Sequence, residues 1–141
     1  MAEIVGRALV DGRAVGEVLV LDQPLSFWGG LDPATGAIID THHPQRGRVV
    51  SGRILVMPAG RGSSSSSSVL AESLRRRTGP AAILLRGSDE IVALGALVVK
   101  LLDGDAYPVL ELAPADYDRL ADGDSVEVAQ EGTVSVLGPG S

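Results

Sequence analysis

Gly60-Arg61-Gly62 runs directly into six consecutive serines, Ser63 to Ser68, and the two flanks of this tract differ in character. Before it, Arg53 to Met57 is a short apolar run stopped by Pro58, the pattern of a buried strand. After it, Val69, Leu70 and Leu74 share one face of a helix that the spacing predicts over Val69 to Thr78. A serine tract is often a flexible linker, but a linker joins independent units, and neither flank can form one alone. The alternative is a strand, a tight glycine turn and a helix start. That arrangement gathers backbone N–H groups and hydroxyls around one point, where unpaired donors of the first helical turn favour an anion.

The rest of the chain divides into a β-rich front, a β-α-β-α-β middle and a closing hairpin. Glu3 to Val10 and Ala14 to Leu21 read as strands, with Asp11-Gly12-Arg13 between them as a hairpin signal. Asp22 to Gly36 reads as a loop holding the only Phe and the only Trp, Phe27 and Trp28. Exposed, they would form a binding surface; buried, they would close one end of the core. Ala37 to Asp40 reads as a short strand, and Val49 to Pro58 as the strand leading into the serine tract. Ala81 to Leu85 is a further buried strand. Ser88 is expected to cap a helix whose spacing runs through Ile91, Leu94, Val98, Leu101 and Leu102 and stops at Asp103-Gly104-Asp105. Tyr107 to Leu112 is a strand and Pro114 to Ala121 a short helix. Val126 to Val128 and Thr133 to Leu137 close the chain as a hairpin. Helices crossing between strands imply a partly parallel sheet, hence an α/β fold.

Residues 1–141 suit one domain, with a core built from aliphatic side chains because aromatics supply only 3% of the chain. A net charge of −6 argues against a nucleic-acid partner. Arg75-Arg76-Arg77, the single basic run, lies where a helix C-terminus favours cations. With no cysteine, this chain alone offers neither a disulfide nor a thiolate metal site. The N-terminus lacks the basic and apolar segments of a signal peptide, and Ile91 to Leu102 is too short to span a bilayer. A cytoplasmic location without membrane contact is the expectation.

Taken together, Val49 to Pro58, Gly60-Arg61-Gly62-Ser63, His42-His43-Pro44, Gly47, Gly52, Ala81 to Leu85 and Ile91 to Ala96 resemble the small subunit of aconitase X. That subunit is related to the mobile, swivelling β/β/α domain of aconitase-like dehydratases, and the likeness covers most of the chain. The resemblance implies that Ser63 is the catalytic base. It also puts Ser65 where classical aconitases carry a carboxylate-gripping arginine, which makes a citrate-type substrate doubtful. A large-subunit partner is implied, carrying an iron or iron–sulfur centre, with no cofactor bound by this chain alone. The implied reaction is dehydration of a small hydroxy acid, cis-3-hydroxy-L-proline or, as the alternative, 5-phosphomevalonate. The uninterrupted serines look more like the hydroxyproline type.

Removing a weakly acidic proton beside a carboxylate needs a strong base, and a serine alkoxide meets that need only in a dry site with donors around it. Gly60 and Gly62 let backbone amides approach closely. Arg61, Gly62, Ser64, Ser65 and His43 are the candidate substrate contacts, with Arg61 equally readable as a solvated loop residue. Ser66 or Ser67 is expected to cap the helix. Adjacent His42 and His43 point to opposite sides of an extended segment, so they are not a chelating pair and no metal site is assigned here. Thr41-His42 faintly echoes phosphohistidine carrier domains, leaving a non-catalytic swivel module as a second alternative.

Overall fold

The computed structural model describes residues 3–59 and 65–139. Within them β1 (Glu3–Val5), β2 (Arg7–Val10) and β3 (Ala14–Val20) precede an irregular turn, α1 (Phe27–Gly30). Next come β4 (Ile54–Pro58), α2 (Ser65–Arg75), β5 (Ala82–Arg86), α3 (Glu90–Asp103) and β6 (Val109–Leu112). A single turn, α4 (Pro114–Tyr117), leads to the hairpin of β7 (Ser125–Val128) and β8 (Thr133–Gly138). The strand order is β1-β8-β7-β3-β4-β5-β6-β2. β3, β4, β5 and β6 are parallel, as crossover helices require, and the remaining pairings are antiparallel.

The hairpin expected at Asp11-Gly12-Arg13 does not form. β2 pairs with β6, and β3 with β4 and β7. Instead β1 and β2 are one stretch kinked at Gly6, so the two ends of the strand order meet and the sheet curls onto itself. Gly6 N–H donates to the Gly132 carbonyl at 3.0 Å. A Cβ on Gly6 would stand 2.8 Å from Leu112 Cδ2 and 3.3 Å from the Glu111 carbonyl oxygen, leaving no room for a side chain at the seam.

Both faces of the parallel strands are covered, which explains why they read as unbroken apolar runs. Leu55, Met57, Ile83 and Leu85 pack against α2 and α3 through Leu70, Leu74, Val92, Ala96 and Val99. Ile54, Val56, Ala82, Leu84 and Leu110 face the other way, into the curled sheet, where they meet Val18, Val126, Val128 and Val134. Leu70 and Leu74 fasten α2 to the sheet; burying each is worth about 2 kcal/mol.

Several boundaries move. Ala37 to Asp40 forms only isolated bridges, Leu31 with Ile38 and Ala37 with Val49. β4 starts at Ile54 rather than Val49, because Ser51-Gly52 turns first. The helix predicted from Val69 already includes Ser65, so Ser65 to Ser68 are helical and neither Ser66 nor Ser67 is its cap. Asp89, not Ser88, caps α3: its Oδ1 accepts from the N–H groups of Ile91 and Val92 at 3.1 and 3.2 Å. The apolar stripe whose spacing marked α3 is largely outside. Leu94, Leu101 and Leu102 are exposed, and Val92, Gly95, Ala96 and Val99 face inward. Small residues win because α2 lies so close that a Cβ on Gly95 would be 2.8 Å from the Ser67 carbonyl oxygen.

Candidate active site

β4, β5 and β6 finish at the same edge of the sheet, at Pro58, Arg86 and Leu112, and a cleft of about 880 Å³ opens there. In sheets of this kind the carboxyl edge is where ligands bind, because the loops leave the strands toward helix N-termini. The wall nearest the serine tract is Pro58 and Ala59. Arg86 and Gly87 stand beside them, and the kink at Gly6 with Arg7 faces them.

Gly60, Arg61, Gly62, Ser63 and Ser64 lie outside the described residues; Ala59 and Ser65, on either side of them, do not. Ala59 N–H donates to the Arg86 carbonyl at 3.3 Å, tying the outgoing chain to β5. Ser65 is exposed at the start of α2. One residue on, Ser66 is buried; its Oγ accepts from Trp28 N–H at 3.3 Å and shares a 3.3 Å hydrogen bond with Ser26 Oγ. The serines of the first turn are therefore clamped to the segment around α1, and the linker reading fails for this part of the tract. The aromatic pair divides. Phe27 is buried, while Trp28 is 62% exposed with its backbone held against α2. Tertiary packing of Phe27 thus presents Trp28 outward at the same end of α2.

The two histidines divide, although the segment that carries them is a turn rather than extended, with His43 N–H donating to the Asp40 carbonyl at 3.1 Å. His42 is exposed, with its backbone N–H on Asp40 Oδ1 at 2.9 Å. His43 is buried, and its Nδ1 accepts from Gln45 N–H at 3.0 Å. The proton then sits on Nε2, which donates to the Gln23 carbonyl at 3.1 Å. Both ring nitrogens are spent on shaping the loop between residues 23 and 45.

A polar cluster that sequence spacing did not disclose borders the cleft. Arg7 Nε donates to Glu111 Oε1 and Arg7 Nη2 to Ser88 Oγ, both at 3.1 Å, while Ser88 Oγ donates to Glu111 Oε2 at 2.5 Å. Ser88 is thus free of the capping role expected for it. The Ser88 hydroxyl, and after it the Arg7 charge, holds the Glu111 carboxyl below the ordinary carboxylate value. A depressed carboxylate favours the folded state at neutral pH, and that contribution disappears as acid carries Glu111 through its lowered value. Ser88→Ala is expected to move the Glu111 titration upward toward its ordinary value, as followed by NMR of the side-chain carboxyl. An unchanged midpoint would mean that the hydroxyl does not govern it.

Among the described residues no group of three or more His, Asp or Glu side chains is placed to hold a metal, and the chain has no cysteine. An iron centre does not fit the donors described here. No helix among the described residues is long and apolar enough to cross a membrane.

Residues 3–136 match the aconitase X swivel domain family. The chain belongs to that family. Among its aconitase X relatives, the cis-3-hydroxy-L-proline dehydratase of Pseudomonas aeruginosa is 50% identical over 127 residues, covering 85% of this chain and 22% of that protein. This chain therefore spans about a fifth of the dehydratase. The phosphomevalonate dehydratase small subunit of Methanothermobacter thermautotrophicus is 38% identical, covering 94% of this chain and 98% of that subunit. A crystal structure of holo aconitase X from Thermococcus kodakaraensis superposes with a TM-score of 0.86 at 35% identity, over 97% of this chain and 99% of that one. The expected swivelling α/β fold is borne out.

Proposed function

We propose that this chain is the small subunit of an aconitase-X-type dehydratase, active with a large subunit on a small hydroxy acid, cis-3-hydroxy-L-proline. The supporting observation is the half-identity to the Pseudomonas aeruginosa dehydratase, of which this chain matches only the swivel-domain portion. The remaining part of such an enzyme would come from a separate large subunit in a cytoplasmic complex. On this reading an iron or iron–sulfur centre belongs to that subunit and supplies Lewis acidity when bound.

The residues of this chain hold substrate and move a proton. Ser63 takes the proton from the carbon bearing the carboxylate, while hydroxide leaves the neighbouring carbon. The resulting enamine tautomerises to Δ1-pyrroline-2-carboxylate. Ser63 is two residues from the first described residue of α2, where the helix dipole favours a developing alkoxide. Arg61 and the amide of Gly62, next to Ser63 in the chain, are the groups this reading assigns to supply positive charge and an N–H donor, with Ser64 and Ser65 assigned to offer hydroxyls to the substrate. His43, with both ring nitrogens engaged, contributes through the loop it shapes.

A second reading, phosphomevalonate dehydration, is favoured by one fact: the chain matches a free-standing small subunit of that enzyme almost end to end. Co-purification with a large subunit, followed by assay on both acids, separates the readings. Turnover of hydroxyproline supports the first, turnover of phosphomevalonate alone supports the second, and an iron-loaded complex that converts neither overturns both.

The face carrying the serine tract and Trp28 is the docking surface on this reading. An exposed indole fixed by its backbone is the usual anchor of such a contact. Trp28→Ala is expected to weaken the complex by about 2 kcal/mol, read by calorimetry, with no change in the chain's own melting. Equal affinity of the variant would move the interface elsewhere.

A further inference from the structure

We propose that Arg86 is the carboxylate anchor of this site, binding the acid group of the substrate at the carboxyl end of β5. The inference rests on the dehydratase reading and adds to it the residue that selects for a carboxylic acid.

Two described arginines line the cleft. Arg7 is already committed to Glu111 and Ser88. Arg86 makes no hydrogen bond or ion pair through its side chain to any described residue, so its guanidinium is the cation there still open to a ligand. Its backbone is fixed: Arg86 pairs with Pro58 on one side and Leu112 on the other, in the middle of the parallel strands. Strand alternation puts its side chain in the row of Ala82 and Leu84, which leads out of the curled sheet into the cleft. Tyr117 marks the same place. Burial pushes its phenol above the ordinary value, and the Arg86 charge opposes that rise.

The chemistry requires such a group. A planar guanidinium donates two parallel N–H bonds to a carboxylate, fixing its position and plane together. Neutralising the carboxylate also makes the adjacent C–H easier to ionise, because negative charge then accumulates beside a cation. The pairing of Arg86 with Pro58 puts this anchor beside the end of β4, the strand that precedes the serine tract in the chain. In sequence, Arg86 appears as the charged end of the apolar run Ala81 to Leu85 just before Gly87, a signal easily passed over as a solvated strand end.

The test uses the complex with the large subunit, comparing wild type, Arg86→Gln and Arg86→Lys. Arg86→Gln is expected to raise KM for the hydroxy acid about 10- to 100-fold, with Arg86→Lys recovering part of the loss. Binding of pyrrole-2-carboxylate and of the uncharged pyrrole-2-carboxamide is measured in parallel by calorimetry. Wild type is expected to prefer the carboxylate, and Arg86→Gln to lose that preference while melting normally. An unchanged KM together with an unchanged carboxylate preference overturns the anchor. If wild type converts neither hydroxyproline nor phosphomevalonate, the dehydratase reading fails; the carboxylate preference then decides Arg86 alone, and its absence from wild type overturns the anchor too.

Discussion

Ser63→Ala in the assembled complex is expected to lower kcat by roughly a thousand-fold, with KM nearly unchanged. The hydroxyl acts on the proton rather than on the bound ground state, so its removal strikes the transition state. Neighbouring substitutions calibrate the result. Ser65→Ala removes one exposed hydroxyl at the start of α2 and should cost far less, about ten-fold at most. Ser66→Ala acts differently, by releasing the hydrogen bond to Trp28 N–H that clamps the first turn to α1. It should weaken the fold and the complex before it affects chemistry. Single-turnover assays with C2-deuterated substrate separate these cases. Near-normal turnover by Ser63→Ala would place the base elsewhere, and an equal loss from Ser63→Ala and Ser65→Ala would mean that the tract acts as a hydrogen-bonding surface.

Gly36→Ala is expected to destabilise the chain by about 3 kcal/mol, lowering the melting temperature by about 10 °C. Gly36 has φ +79°, so any Cβ carries the left-handed penalty, and that Cβ would run into Ser51 Oγ and the Thr78 carbonyl oxygen. Those atoms are not free to move. Ser51 Oγ donates to the Thr78 carbonyl at 2.6 Å, and Thr78 Oγ1 donates to the Pro33 carbonyl at 2.6 Å, so the loop grips the chain just after α2. Gly47→Ala and Gly52→Ala serve as controls. Both positions have positive φ, +93° and +69°, yet nothing lies within 4 Å of a Cβ there. Each should cost about 1 kcal/mol, the backbone penalty alone. Thermal denaturation of the three variants separates strain from collision, and equal losses would show that the grip on Thr78 contributes nothing. Because this grip holds the far end of the helix that begins at the serine tract, Gly36→Ala should also loosen the candidate site.

The alternation of strands and helices from β4 to β6 was legible because it is written twice. Both faces of these strands are buried, which demands runs such as Ile54 to Met57 and Ala82 to Leu85, and each crossover carries its own punctuation. The closing hairpin was legible for a similar reason, since Glu131-Gly132 can only turn. The spacing of large apolar residues marked α3 as a helix but did not disclose its buried face, Val92, Gly95, Ala96 and Val99. Where helices approach this closely, Gly95 and Ala96 go inside and leucines are left outside. The start of α2 was misread because serine is a poor signal for a helix; its placement depends on partners such as Trp28 that lie far away in the chain.

Local chemistry along the chain therefore determined the parallel core, the serine tract at the end of a strand, and membership in a family whose chemistry the tract suggests. Its information is short-ranged, carried by periodicity, turn residues and motif. The curl of the sheet through Gly6, the outward Trp28, the committed ring of His43 and the cleft where Arg7, Ser88 and Glu111 join while Arg86 stays open came from folding alone. These depend on residues separated by tens of positions, whose contacts exist only once strand register has brought the carboxyl ends of β4, β5 and β6 to one edge.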